Sequence, residues 1–167
     1  SVWEQEAKTW EETRHLTFGL YRGTKAERAK VASQAKDIYM VNPEMLEEAL
    51  KELPKCNSLY IDESSMFKNP STKRFKHLKK FLSSFTARRI FTGTPTPNSM
   101  MDIWSQIFLL DGGVRLGTSF YGFRDRFFEQ ADYMGYVFRP RERAKEKIAS
   151  LISDITVRIR YEDYLDP

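Results

Sequence analysis

The sequence contains one cysteine, two histidines and no long apolar run, and each of these scarcities excludes a class of site. Cys56 stands alone, which excludes an intrachain disulfide and a cysteine-based metal site. His15 and His77 lie outside any cluster of cysteine, serine or carboxylate residues, which argues against a histidine metal site or a hydrolytic triad. Because no apolar segment is long enough for a bilayer and no signal peptide is recognisable, we expect a soluble protein of a reducing cytoplasm.

Length and charge set wider bounds on the fold and the partners. At 167 residues the chain is long enough for one domain with its own core. A hydrophobic fraction of 41% and a charged fraction of 30% exclude a disordered chain. The net charge of +4 permits nucleic acid as a partner without requiring it.

The stretch Leu59–Ser65 is a short apolar run that ends in two adjacent carboxylates, Asp62 and Glu63. A buried parallel strand delivers such residues to the carboxyl edge of a sheet, where α/β proteins bind ligands. One carboxylate there can hold Mg²⁺ through its water shell while the other orients a water toward a phosphate. A strand that ends in a polar turn would also explain the pair. The ligand-binding interpretation is favoured by a second such segment at 91–98, Phe-Thr-Gly-Thr-Pro-Thr-Pro-Asn.

Hydrophobic periodicity predicts alternating helices and strands, the pattern of a parallel sheet covered by helices. Trp3 and Trp10 stand at helical spacing and predict an amphipathic helix packed by its tryptophans. Asn42 followed by proline is a strong helix start. The predicted elements before the paired acids are helices at 2–10, 24–33 and 43–53 and strands at 16–21, 37–41 and 59–61.

Beyond the acids, Ser71 is predicted to cap a helix with an apolar inner face and a basic outer face. The basic face, which includes Lys73 and Arg74, could lie along phosphates, although a solvated surface is the commoner explanation. A strand at 88–91 then leads to Thr92 and Thr94, whose hydroxyls can reach phosphate-linked water or the neighbouring acids. A strongly apolar helix is predicted at 99–110.

The last third of the chain shows packing signals rather than chemistry. A stripe of phenylalanines at helical spacing is typical of a core. The predicted elements are a helix from Phe120, a small hairpin at 133–138 turning near Gly135, a helix opening at Pro140, a strand at 155–160 and a polar tail at 161–167.

Together these segments resemble the first motor lobe of the Swi/Snf-type helicase-like ATPases of superfamily two, in particular their short phage-borne members. The resemblance runs along nearly the whole chain in the right order, so it is more specific than any one motif. Three segments resemble the family's first motifs: the helix with Trp3, Glu6 and Trp10 follows motif Ia, Asp37–Glu44 resembles motif Ib, and Asp62–Ser65 resembles Walker B, with Lys68 and Asn69 as its extension. Thr92–Pro95 with Asn98 resembles motif III. Gly113–Gly117 is similar to a signature of the phage subgroup, and Val157 and Arg158 with Asp163 resemble the end of the first lobe.

The resemblance implies a partial RecA-like P-loop NTPase domain with ATP and Mg²⁺ as cofactors and DNA, more often duplex than single-stranded, as partner. Asp62 would hold the magnesium of bound ATP through water, and Glu63 would polarise the attacking water as general base. Thr92 and Thr94 would couple the nucleotide site to DNA and to a second lobe. The candidate nucleic-acid contacts are Asn42, Lys68, Asn69, Lys73 and Arg74.

The sequence departs from the family pattern in two ways. Ser65 replaces the family's common histidine, and its hydroxyl could bridge to Thr92 or Thr94 instead. The Gly-x-x-x-x-Gly-Lys-Ser/Thr loop that cradles phosphates is absent from the sequence. We therefore expect a fragment of a larger motor that lacks the phosphate-loop strand and the second lobe, with an open sheet edge that invites self-association.

The sequence therefore predicts that residues 1–167 form a partial first lobe, with a helical and hairpin extension at 112–167 that closes it. The source would be a phage- or prophage-encoded DNA-dependent ATPase or helicase, inactive as this fragment alone. The alternative is a non-catalytic DNA- or protein-binding module that kept the helicase motifs. A nuclease with Asp62 and Glu63 as metal ligands is weaker, since no further carboxylate or histidine cluster accompanies them.

Overall fold

The structure is a computed structural model that describes residues 2–96 and 98–159. The chain divides into two compact units. The first comprises residues 1–59 and 71–87, and the second comprises residues 60–70 and 88–167. The predicted strand residue Arg160 and the tail at 161–167, with Asp163, lie outside the described residues.

A parallel strand pair forms the sheet of the first unit. Strand β1 (Phe18–Tyr21) pairs in parallel with β2 (Ile38–Val41), with Phe18 opposite Ile38 and Tyr21 opposite Val41. Helix α2 (Lys25–Ala32) connects them and begins with a capping box, in which Thr24 and Glu27 each accept a hydrogen bond from the other's backbone N–H. The predicted strand, helix, parallel strand order is confirmed.

Three further helices belong to the first unit: α1 (Val2–Thr9), α3 (Leu46–Glu52) and α4 (Lys73–Phe81). A 3-10 turn (Pro43–Met45) precedes α3, and Asn42 stands at its start without a side-chain capping hydrogen bond. The cap of α4 is Thr72 rather than the predicted Ser71. The Thr72 hydroxyl accepts the N–H of Phe75 at 3.4 Å, so the helix starts one residue later.

The prediction that tryptophans pack α1 into a core is wrong. Trp3 is 58% exposed and Trp10 is 63% exposed, and α1 has no buried residue among those that the structure describes. The helical spacing was sufficient to form the helix, but spacing alone does not supply a surface for its apolar face to pack against.

A polar cluster surrounds the buried Tyr21 beside α3. Tyr21 has no exposed surface, and its hydroxyl donates to Oε2 of Glu52 at 2.6 Å. The guanidinium of Arg28 lies 5.9 Å from the Tyr21 ring centroid and donates to Oε1 of Glu48 at 2.8 Å. Burial and the bond to Glu52 raise the pKa of Tyr21 to about 12. This cluster ties β1 to both α2 and α3.

The sheet that carries the paired acids consists of β3 (Ser58–Ile61) and β4 (Ala87–Ile90). In the second unit, β4 leads through a loop to a 3-10 turn (Met100–Asp102) and helix α5 (Ile103–Asp111). Residues 104–109 of α5 are all buried, and Gly112 ends the helix with a left-handed backbone at φ 71°. The predicted apolar helix is therefore the centre of this unit.

The chain beyond α5 forms α6 (Phe120–Phe127), a hairpin of antiparallel strands β5 (Phe128–Gln130) and β6 (Phe138–Pro140), and α7 (Ala144–Ile152). Of the predicted phenylalanine stripe, Phe123, Phe127 and Phe128 are core at 2–3% exposure, while Phe120 at the start of α6 is half-buried. Pro140 ends β6 instead of opening the last helix. Residues 155–159 form no strand, so that prediction is wrong for its described part.

The predicted parallel sheet occurs as short pairs. Within residues 2–96 and 98–159, each of the three sheets has two strands. In the same residues, every helix is too short or too polar to cross a bilayer.

Candidate active site

The backbone at Asp62 and Glu63 bulges out of the strand pair. The N–H of Phe91 donates to the carbonyl of Ile61, and the N–H of Ser64 donates to the carbonyl of Phe91, both at 2.8 Å. In a regular parallel ladder, the two residues that bond to one residue of the neighbouring strand are two positions apart, whereas Ile61 and Ser64 are three positions apart. Glu63 absorbs the extra residue with a left-handed backbone, φ 51° and ψ 59°. Such a bulge re-aims a side chain, here the Glu63 carboxylate.

Two hydroxyl groups converge on one oxygen of that carboxylate. Ser65 Oγ donates to Glu63 Oε1 at 2.5 Å, and Thr92 Oγ1 donates to the same oxygen at 2.8 Å. The N–H of Thr94 donates to Thr92 Oγ1 at 3.1 Å, which extends the chain of hydrogen bonds into the loop after β4. The bonds from Ser65 and then Thr92 lower the pKa of Glu63, because they stabilise its ionised form.

The expected bridge from Ser65 to Thr92 or Thr94 is therefore indirect. Ser65 and Thr92 meet on the Glu63 carboxylate rather than on each other. A serine hydroxyl is shorter than a histidine ring, and the left-handed turn at Glu63 brings the carboxylate between the two hydroxyls. The sequence identified all the participants but not the order in which they connect.

Asp62 lies beside this group with an exposed side chain. Its Oδ1 accepts the N–H of Glu63 at 3.0 Å. Among the described residues, no group of three or more histidine, cysteine, aspartate or glutamate side chains could hold a metal ion directly. Two exposed carboxylates fit Mg²⁺ only in the form that keeps several water or phosphate ligands.

A buried pair of polar residues connects the two loops of the site, and the sequence reasoning missed it. Ser64 has no exposed surface, and its hydroxyl donates to Oε1 of Gln106 at 2.8 Å. Gln106 is 1% exposed, and its Nε2 donates to the carbonyls of Pro95 at 2.5 Å and Asp102 at 3.0 Å. Gln106 therefore connects the residue after Glu63 to the loop of Thr92 and Thr94. The signal was the single Ser-Gln pair inside an otherwise apolar helix.

The candidate nucleic-acid residues fall in both units. In the second unit Lys68 is half-buried, with its carbonyl accepting the Ser105 hydroxyl at 2.6 Å, and Asn69 is exposed. In the first unit Asn42 and Lys73 are exposed and Arg74 is half-buried. Lys73 and Arg74 line a shallow surface pocket with Pro43, Glu44, Leu46, Glu47 and His77. The two basic residues thus lie beside the turn that follows Asn42.

Comparison with known proteins identifies the family of this chain. A family model described as the SNF2-related domain matches residues 1–159. Protein p41 of Acyrthosiphon pisum secondary endosymbiont phage 1 is 29% identical, over 99% of this chain and 39% of that protein. The TATA-binding protein-associated factor mot1 of Schizosaccharomyces pombe is 33% identical over 75% of this chain and 6% of that protein. The chain thus spans well under half the length of these relatives.

A solved structure agrees with the sequence relatives. The Sulfolobus solfataricus SWI2/SNF2 ATPase core in complex with double-stranded DNA matches with a TM-score of 0.70 and 29% identity. The match covers 95% of this chain and 31% of the archaeal chain. Asp62 and Glu63 precede the loop of Thr92 and Thr94, as the corresponding motifs do in the family. The chain belongs to the SNF2-related domain family and has the α/β fold of the RecA-like lobe of a SWI2/SNF2 ATPase core.

Proposed function

We propose that this chain supplies the water-orienting and magnesium-holding acids of a DNA-dependent ATPase motor that translocates along duplex DNA or remodels it. The observation that carries the proposal is the Glu63 carboxylate held by Ser65 and Thr92 at the end of the β3 and β4 pair. A carboxylate fixed between two loops is the element that in-line attack on a γ-phosphate requires. Membership of the SNF2-related family and the resemblance to an ATPase core support the same chemistry.

Glu63 acts in this proposal as an ionised acceptor that orients the attacking water. A glutamate is ionised at neutral pH, and the two hydroxyl bonds lower the pKa of Glu63 further. Since both hydroxyls bond Oε1, Oε2 is the oxygen that we assign to the water. Asp62 would hold Mg²⁺ through the metal's water shell. Bound Mg²⁺ neutralises charge on the transferred phosphate group.

Thr92 is the proposed link between the nucleotide site and the DNA-binding parts of the motor. Any movement of the loop that carries Thr92 and Thr94 changes the hydrogen bond that holds Glu63. Gln106 is a positioning residue in this scheme, because it fixes both Ser64 and Pro95 from the buried helix α5. The loop of Thr92 and Thr94 is therefore connected to the acids twice, through the exposed bond from Thr92 to Glu63 and through the buried Gln106.

The candidate DNA contacts are Asn42, Lys68, Asn69, Lys73 and Arg74. The net charge of +4 and the double-stranded DNA in the archaeal structure support DNA as the partner. Phosphate contacts from lysine and arginine would provide binding that is independent of sequence and sensitive to salt.

We also propose that this chain works as part of a longer motor. It spans 39% of the phage relative and 31% of the archaeal core, and its sequence contains no Gly-x-x-x-x-Gly-Lys-Ser/Thr loop. The phosphate loop and the second lobe would come from the rest of that motor, with residues 112–167 as the extension that closes the first lobe. The phage relative supports a phage or prophage origin and work in the cytoplasm of a bacterial host. An open sheet edge would allow self-association in the isolated chain.

Replacing Glu63 with glutamine in the complete gene product tests the proposal. We expect DNA-stimulated ATP turnover to fall by at least about 100-fold while ATP binding is retained, since glutamine keeps the shape but loses the charge. Glu12→Gln, an exposed residue outside the proposed sites, is the matched control and should leave turnover unchanged. Equal turnover in the wild-type protein and Glu63→Gln would contradict the motor and support a non-catalytic binding module.

Calorimetric titration of the isolated chain with magnesium and ATP tests the proposal that the site is completed elsewhere. We expect no detectable heat of binding, because the sequence lacks the phosphate-binding loop. Micromolar binding would show that this chain completes the nucleotide site alone or with a second copy.

A further inference from the structure

The hairpin between β5 and β6 carries an exposed cluster of large side chains at residues 131–137, here called the aromatic tip. Tyr133 is 99% exposed, Tyr136 80%, Met134 67% and Val137 51%. No element described above uses these side chains, and two neighbouring tyrosines with this exposure are more than a scattered surface residue. The tip therefore presents two tyrosines, a methionine and a valine to solvent.

Hydrogen bonds to Asp132 and from Gln130 fasten the backbone of the aromatic tip. Asp132 Oδ1 accepts the N–H of Val137 at 2.7 Å, and its Oδ2 accepts the N–H of Tyr136 at 3.2 Å. Gln130 Nε2 donates to the carbonyl of Asp132 at 2.6 Å from the strand below. Gly135 supplies the left-handed position of the turn at φ 75°. A turn fastened in this way loses little conformational entropy when its tyrosines bind a partner.

The segment that follows the aromatic tip is basic. Residues 139–147 contain five lysine or arginine residues and two glutamates, and all five cationic side chains are exposed. One further carboxylate faces them from β5, where Glu129 lies opposite Arg139 and 3.8 Å from Arg141. Arg139 and Arg141 alternate along β6 and the residue after it, so they share one face of the extended chain. At the base of the tip, the Arg124 guanidinium lies 4.3 Å from the Phe138 ring centroid and is paired with Asp125 at 2.9 Å, so it supports the hairpin without adding to the excess of cations. The basic segment comprises Arg139, Arg141, Arg143, Lys145 and Lys147.

We propose that the aromatic tip and this basic segment form a contact site for duplex DNA, separate from the motif residues assigned above. The inference rests on the proposed function, since it adds a surface to the same motor. Arginines beside tyrosines match the two parts of a duplex, with cations on the phosphates and flat side chains against sugars and base edges in a groove. The excess of cations selects a polyanion over a protein surface, because a protein partner would have to neutralise this charge with acids of its own.

Fluorescence anisotropy with a labelled duplex of about two helical turns tests the site across a salt series. For the double variant Arg139→Ser/Arg141→Ser, we expect the slope of log affinity against log salt to shrink by about two, since each lost phosphate contact removes about 0.9. For Tyr133→Ser/Tyr136→Ser, we expect affinity to fall several-fold with an unchanged slope, because the lost contacts are uncharged. Controls are Lys25→Ser/Lys30→Ser, which removes two exposed charges from α2, and Trp10→Ser, which removes the exposed aromatic residue that follows α1.

Two results would overturn the inference: the tip variants bind duplex no worse than their controls, or the wild-type chain binds no duplex. Loss of self-association by sedimentation, with DNA binding intact, would assign the tip to a protein interface and would also overturn it. The Glu63→Gln turnover assay separates this inference from the proposed function. If that variant loses turnover while the tip variants bind normally, the motor stands and the tip site fails.

Discussion

The tryptophans at helices α1 and α5 have opposite environments. Trp104 on α5 is 2% exposed and packs against Phe108 and Phe120, with ring centroids 5.1 and 5.7 Å away. Trp3 on α1 and Trp10, the residue after α1, are more than half exposed. The comparison shows that periodicity determines whether a helix forms, whereas burial depends on what else the chain brings to that helix.

The same contrast separates the candidate catalytic residues from the candidate DNA contacts. The loops of Glu63 and Thr92 are fastened to α5 through Gln106, a residue with almost no solvent contact. Asn42 and Lys73 lie on an exposed surface of the first unit. Chemistry needs fixed distances and therefore a buried support, while phosphate binding tolerates mobile surface cations.

Truncating the two kinds of tryptophan should give the largest difference. Trp104→Ala should lower the free energy of unfolding by about 4 kcal/mol, because it leaves a cavity and removes the indole N–H bond to the Gly117 carbonyl. Trp10→Ala should change it by less than about 0.5 kcal/mol, as for an ordinary surface site. Urea denaturation of both variants measures this. Equal losses would mean that α1 is covered in solution and would remove the contrast.

Replacing Gln106 with leucine tests how the buried side chain of Gln106 supports the loops of Glu63 and Thr92. The expected loss of stability is smaller than for Trp104→Ala. The change keeps the volume but leaves the Ser64 hydroxyl without its buried acceptor, so the free energy of unfolding should fall by about 2 kcal/mol. Gln5→Leu on the exposed side of α1 is the matched control and should cost less than about 0.5 kcal/mol. In the complete gene product, Gln106→Leu should lower kcat more than it raises KM. If it changed stability alone, Gln106 would be structural and not a positioning residue.

The smallest expected effect concerns the protonation of Glu63. Because hydrogen bonds lower its pKa in the folded state, Glu63 stabilises the fold above its unfolded pKa and loses this contribution as the pH falls through the folded value. Ser65→Ala removes the first of these bonds, so the pKa of Glu63 should rise toward its ordinary value. Carbon-13 NMR titration of the carboxyl group measures the change.

Thr118→Ala, an exposed hydroxyl residue of the same unit, is the control for this titration and should leave the Glu63 pKa unchanged. An unchanged pKa in Ser65→Ala would mean that Thr92 alone holds the carboxylate.

Local patterns were sufficient to predict most of the fold and the residue types of the site. The apolar run into Asp62 and Glu63 and the hydroxyls after β4 are sequence-local signals, and the structure joins Glu63 to Thr92. The left-handed backbone at Glu63 was not predictable, because strand pairing imposes this conformation and a glutamate has no intrinsic preference for it. The Ser64 to Gln106 bond was missed for a similar reason, since its partners are 42 residues apart and an apolar helix suggests only packing.

The left-handed backbone at Glu63 also has an evolutionary consequence. A residue with a side chain pays roughly 1 kcal/mol or more for that conformation, whereas glycine adopts it freely. A gene copy released from selection for hydrolysis would therefore gain stability by drifting from glutamate to glycine at this position. Under the proposed role of Glu63, the residue found there in diverging descendants would show whether hydrolysis has been kept.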